Sequence, residues 1–379
     1  MKQFGKRCMA LTACLGVFAL PMRGCDDPWT NRNPPSRHHA LVTRIDARMA
    51  QAISDGSQPG GSIAVASEGT RVFARGYGYA NVEARIRATP NTVYRIGSIT
   101  KTFTAAAIMD LVEHGRLGVD DEVTKFIPHY PTNGYRLTVR NLLNQTSGIP
   151  DYYLDPPGTP EFDRLSHTKV SKAEILSLFA GKLNFPTGEQ YQYSNSNYFL
   201  LGLIIEEVSG QSYASYLSEH IFAPLGMRNT FYCPDEPTGT NQARGYKRGP
   251  DGKLTPTPTF FNIDTAFAAG GLCSTVEDLV RWNNAFHGHR ILAASYDLMT
   301  KPGVLPDGTP TPYGFGFMLD DYFHTISHGG GIEGFSSWLW YLPDYRVTVV
   351  VLVNNDYNNA IQWVRSFEGL FTPQVLSGR

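Results

Sequence analysis

Apolar residues recur at helical spacing from Leu41 through Ile45 and Met49 to Ile53, which predicts an amphipathic helix. The period then changes. Ser62–Ala66 and Arg71–Tyr77 read as two strands joined by a hairpin at Glu68-Gly69. The middle of the chain returns to helical spacing. Thr102–His114 stops at Gly115, Leu137–Leu143 begins a short segment, and Asn197–Val208 stops at Gly210. Ser171-x-x-Glu174 and Ser274-x-x-Glu277 have capping-box spacing, ahead of Ile175–Phe179 and of a helix running to Phe286. Strand-like runs reappear at Tyr313–Leu319, Ser336–Leu342 and Arg346–Val353, with a turn at Pro343-Asp344. Trp363–Phe371 closes the pattern as a helix.

Strands therefore lie toward both ends and helices between them. The expected class is α+β: an antiparallel sheet built from N- and C-terminal strands, flanked by helices. A mainly helical lobe, about residues 99–300, is inserted into this α/β lobe, and the whole domain spans residues 41–375.

The chain has 379 residues, 42% hydrophobic and 18% charged, enough to bury a large core. Lys plus Arg is 33 and Asp plus Glu is 34, so no basic excess points to nucleic acid. Residues 1–25 look like an export signal. Lys2, Lys6 and Arg7 precede an apolar run, Cys8–Met22, that is shorter than the roughly 20 residues of a membrane span. Met22-Arg23-Gly24-Cys25 resembles a lipobox, although Met22 and Arg23 depart from it; a lipidated Cys25 would tether the chain to a membrane through residues 26–40. The expected location is the periplasm or cell envelope, or secretion. Oligomeric state is not legible. In the body of the chain only Cys233 and Cys273 remain, to be read as a disulfide or as two buried thiols.

Three short motifs carry chemistry. Ser98-Ile99-Thr100-Lys101 falls where strand-like Val93–Ile96 meets the Thr102 helix. A serine in the first helical turn gains the positive end of the helix and its free N–H groups. A lysine three residues on shares its face and, once buried, loses proton affinity and becomes a base. A second S-x-x-K, Ser166-His167-Thr168-Lys169, is expected in a loop and reads as chance. Tyr193-Ser194-Asn195 ends a polar loop ahead of the Asn197 helix. Tyr193 becomes a base beside a cation such as Lys101, and Asn195 offers a donor and an acceptor to a substrate amide. Tyr357-Asn358-Asn359 has the same spacing. His328-Gly329-Gly330-Gly331 sits between strand-like runs; its glycines would let substrate approach the edge backbone, with the Gly331 N–H as an oxyanion donor. Taken one at a time, each motif has a structural explanation: a helix cap, a loop or a glycine turn.

Together, in this order, they resemble the serine β-lactamase and penicillin-binding protein superfamily. The likeness is greatest to the branch near class C β-lactamases, D-aminopeptidases and bacterial serine esterases. It runs from about Leu41 to Phe371 and includes Leu142-Leu143-Asn144-Gln145-Thr146-Ser147-Gly148, Ala269-Gly270-Gly271-Leu272 and Gly334-Phe335-Ser336. The resemblance implies an acyl-enzyme on Ser98, proton transfers shared by Lys101 and Tyr193, and a strand edge lined by His328, Gly329, Gly330 and Gly331. Two positions depart: His328 stands where Lys is usual, and Gln145 where His is common. No E-x-x-L-N deacylation motif is present, so a deacylating water would depend on Tyr193.

The expected activity is hydrolysis of esters or of D-residue peptides and amides, with no cofactor or metal. The alternatives are a true class C-like β-lactamase and a non-catalytic scaffold of the same fold. His287-Gly288-His289 lacks a third ligand nearby, and Ile96 replaces the first glycine of a nucleophile elbow. His328, with an ordinary pKa near 6.5, is expected to favour anionic substrates more at pH 6 than at pH 8.

Overall fold

A computed structural model describes residues 39–153, 159–249, 251–355, 360–372 and 375–376. The expected export segment, Cys25 and residues 26–38 of the expected tether lie outside the described residues, as does Tyr357-Asn358-Asn359, whereas His39 and Ala40 of the tether open the first helix.

Seven strands form the main sheet: β1 (Gly60–Ser67), β2 (Thr70–Asn81), β3 (Ile86–Arg87), β4 (Met318–Asp320), β5 (Thr325–Ile332), β6 (Phe335–Leu342) and β7 (Val347–Val353). Their spatial order is β3-β2-β1-β7-β6-β5-β4, and every pairing is antiparallel. The first and last long strands meet at the centre, with Ile63 opposite Val351. Among the described residues, none between Arg87 and Met318 adds a strand to this sheet, and that stretch carries most of the helices, as the sequence pattern predicts.

Alternation along the strands sorts the two faces. Ile63, Val65, Trp338, Trp340, Val349 and Val351 pack in one cluster with Leu41, Ile45 and Met49 of the helix His39–Ser54. Fully burying each of those three helix side chains contributes about 1.5–3 kcal/mol before entropy. On the other face the helix Val276–His287 packs against β1 and β7, and its Asn283 donates to the Thr348 hydroxyl at 2.8 Å.

Several boundaries differ from the pattern. The last-named helix is capped by Thr275, which accepts from Asp278 N–H at 3.2 Å, rather than by Ser274. Ser171 caps its helix as expected. Only Met318 and Leu319 of the run Tyr313–Leu319 are strand. The glycines 329–331 lie within β5 rather than in a turn before a strand. Cys233 and Cys273 form a disulfide, which settles the choice left open above.

Candidate active site

A short strand, Tyr94–Arg95, pairs with Leu272–Ser274 and leads into the turn Gly97–Ile99, which runs directly into the helix Thr100–Glu113. Ser98 therefore sits at the strand-to-helix boundary that its sequence context predicts. Gly97 has φ +49°, and a Cβ there would lie 2.9 Å from the backbone nitrogen and oxygen of Gly331. Any other residue would push the nucleophile turn away from β5. The following helix is buried on nearly every side, so Lys101 is fully enclosed.

Lys101 Nζ has three partners: Ser98 Oγ at 2.9 Å, Asn195 Oδ1 at 2.7 Å and the Ala269 carbonyl at 2.8 Å. It also lies 4.8 Å from the centre of the Tyr193 ring. Burial lowers its pKa to about 7, while the Asp151 carboxylate pulls the other way. As an ammonium it fills all three acceptors. As a neutral amine it keeps two N–H groups on Asn195 Oδ1 and the Ala269 carbonyl oxygen, which can only accept, and turns its lone pair toward the Ser98 hydroxyl.

Burial holds the Tyr193 phenol well above its usual range, although the Ser98 hydroxyl near it pulls the other way. Burial thus favours the neutral form of both groups, the amine of Lys101 and the phenol of Tyr193.

Asn195 opens the helix Asn195–Ser209. Its oxygen is committed to Lys101, and its Nδ2 donates to Asp151 Oδ2 at 2.9 Å. Its first duty is thus to position the lysine, leaving one N–H free for a substrate. Asp151 has no sequence motif to announce it. It also accepts from Tyr153 N–H at 3.0 Å, and it makes no ion pair within 4 Å among the described residues.

The third motif behaves differently from expectation. His328 is buried, with Nδ1 donating to the Gly329 carbonyl at 2.6 Å and Nε2 accepting from the Tyr313 hydroxyl at 2.8 Å. Burial, with the nearby Lys101 charge, pushes its pKa down to about 3. It does not change charge between pH 6 and 8, so the expected pH-dependent preference for anions has no source in this residue. Both ring nitrogens are already occupied, so its place is in the wall behind the site. Gly329 and Gly330 are required by packing: a Cβ would lie 2.4 Å from the Trp338 ring and 2.0 Å from the Ile96 carbonyl respectively. Gly331 is exposed, and it is the one whose backbone lies beside the nucleophile turn.

The second S-x-x-K is not brought together. Ser166 is buried at the end of the helix Pro160–His167, and Lys169 pairs with Asp235. His287 is enclosed in an aromatic cluster, stacked on Tyr341, with Nδ1 on the Tyr296 hydroxyl at 2.9 Å.

The chain and its fold are similar to those of known proteins. The chain is 32% identical over 321 residues to Protein flp of Staphylococcus aureus (strain MW2), covering 82% of this chain and 62% of that protein. The chain thus spans less than two thirds of that relative's length. The fold matches a penicillin-binding protein homologue from Pyrococcus abyssi, described as octameric, with TM-score 0.72 and 33% identity over 83% of this chain and 72% of that one. It matches a D-stereospecific amidohydrolase from a Streptomyces species with TM-score 0.74 and 27% identity, over 88% and 99% of the two chains. The family profile described as Beta-lactamase matches residues 43–364, and this protein belongs to that family.

Proposed function

We propose that the protein is a serine hydrolase that works through an acyl-enzyme on Ser98 and cleaves esters or D-residue amides and peptides. The observation that supports this most is the set of partners around Lys101, which leaves the neutral amine's lone pair for the Ser98 hydroxyl. In the first step the Ser98 proton passes to Lys101 as Oγ bonds to the substrate carbonyl carbon. The N–H groups of Ser98 and Gly331 stabilise the oxyanion. Tyr193 O–H gives its proton to the departing amine or alkoxide and recovers one from Lys101. Water then attacks the ester by the same route in reverse.

Charge narrows the substrate. Lys101 and His328 are neutral at and above pH 8, and Asp151 bears the charge nearest to Asn195. A neutral substrate, or one with an ammonium group, suits this field better than a penicillin carboxylate. The likeness to a D-stereospecific amidohydrolase favours D-amino acid amides among the candidates. The disulfide supports export to an oxidising compartment, in keeping with the leader. A lipid anchor at Cys25 belongs to the same proposal.

The test is a turnover panel at pH 8: a p-nitrophenyl ester, D- and L-phenylalanine amide, and benzylpenicillin, with wild type and Ser98→Ala. Ser98-dependent turnover of the ester or the D-amide is expected, exceeding that of benzylpenicillin. Efficient penicillin hydrolysis would return β-lactamase to first place, and no Ser98-dependent turnover would support the scaffold reading.

A further inference from the structure

We infer that Gln145 is a positioning residue that holds Tyr193 in register with Ser98; this rests on the hydrolase reading above. Gln145 grips the chain on both sides of Tyr193. Its carbonyl accepts from the Gln192 N–H at 3.0 Å, and its Oε1 accepts from the Ser194 N–H at 3.0 Å. The same Oε1 accepts from Asn197 Nδ2 at 2.6 Å, and Asn197 Oδ1 accepts from the Ser147 hydroxyl at 2.5 Å. One side chain thereby ties the turn that carries Tyr193 to the first turn of the helix behind it.

The helix Val139–Leu143 ends at Asn144, and Gln145, with φ +65°, takes the left-handed position that closes it, with Thr146 N–H bonding back to the Asn141 carbonyl at 2.9 Å. Gln145 is fully buried, and its Nε2 has no partner among the described residues. That unsatisfied donor is a cost, set against the two hydrogen bonds its oxygen accepts from Ser194 and Asn197. Ser194 gives an independent sign. It is the N-cap of the helix, yet its hydroxyl caps nothing and is buried without a partner. The turn is therefore held from outside, by Gln145, rather than by its own cap. An amide also carries no charge at any working pH, so the brace adds no titrating group next to the turn that carries Tyr193.

The test uses the full chain with Gln145→Leu, Gln145→Glu, Tyr193→Phe and the double variant Gln145→Leu/Tyr193→Phe, read as kcat, KM, pH–rate profile and Tm. Gln145→Leu is expected to lower kcat by about ten- to a hundredfold, the scale of a small misplacement in a reacting site. KM should stay within about threefold, because the effect is on the reacting geometry. Gln145→Glu keeps the acceptor oxygen and restores most of kcat. Its profile moves to higher pH, because a new negative charge disfavours proton loss nearby. In the Tyr193→Phe background, Gln145→Leu should cost less than about threefold more, since both act through one phenol. An equal loss with and without the phenol would make Gln145 ordinary packing and overturn the inference. Full turnover by Tyr193→Phe would overturn the relay reading first, and the brace with it. Should Gln145→Leu melt below the assay temperature, Gln145→Asn, one methylene shorter, completes the same cycle.

Discussion

Lys101 Nζ lies 2.9 Å from Ser98 Oγ, and its two remaining partners, Asn195 Oδ1 and the Ala269 carbonyl, can only accept hydrogen bonds. That asymmetry gives the site its direction. Losing one proton from Lys101 creates a base whose free electron pair has a single place to go.

The first prediction is a pH profile. Lys101 must be neutral to act, and burial places its pKa at about 7. For a neutral ester, kcat/KM should fall about tenfold per unit as pH drops below that value and level off above it. His328, held at about 3, contributes nothing in this window. The ratio of specificity constants for an anionic and a neutral substrate should therefore be flat from pH 6 to 8. A plateau extending down to pH 5 would remove Lys101 from the role of base.

A second prediction concerns the phenol. Tyr193→Phe removes one oxygen from a half-buried ring and should leave the fold intact. Loss of the relay should slow turnover by roughly a hundredfold to ten-thousandfold, the range of general acid–base catalysis. The loss should be larger for an amide than for a p-nitrophenyl ester, because only the amine needs a proton to leave. Equal losses on both substrates would place Tyr193 outside leaving-group protonation.

Asp151 supplies a third. Its charge raises the Lys101 pKa, opposing burial. Asp151→Asn removes that support, so the ammonium becomes less stable and the acid limb of the profile should move to lower pH. The same change should reduce the preference for an ammonium-bearing amide over its N-acetylated form. An acid limb that stays in place or moves upward would contradict the assignment.

The disulfide gives a fourth, on stability. Cys233 and Cys273 close a loop with a sequence separation of 40 residues. Chain entropy assigns such a link about 4 kcal/mol, within the usual 2–5 kcal/mol cost of removing a native bridge. Cys273 also lies in the strand paired with Arg95, three residues before Ser98. Cys233→Ser/Cys273→Ser should show a lower denaturation midpoint than wild type, with added reductant bringing wild type down to match. An unchanged midpoint under reduction would show that the bridge adds no stability.

Much of this was legible in the sequence, for definite reasons. A strand meeting a helix at Ser98, with a lysine at the next same-face position, is a local pattern, and local patterns survive folding. The sheet built from both chain ends followed from the placement of strand periods. Other features were hidden. β5 contains three consecutive glycines, which lower strand propensity, so the run read as a turn. Tertiary packing overrides that: the Trp338 ring and the Ile96 carbonyl fill the space that side chains would take. The partner of Lys101 at Ala269 is a backbone carbonyl, to which residue type gives no clue. Asp151 follows Pro150 in what reads as an ordinary turn, and its role depends on Asn195, 44 positions away. The charge of His328 was misjudged because burial is a property of the fold, not of the residue.

Whether Ser98 is the nucleophile is tested most directly by the mass of the peptide that contains it after reaction with a fluorophosphonate. A single adduct on Ser98 is expected in wild type, none in Ser98→Ala, slowed labelling in Lys101→Ala, and loss of turnover in both variants. Labelling of a different residue, or Ser98→Ala turning over substrate at the wild-type rate, would contradict that role.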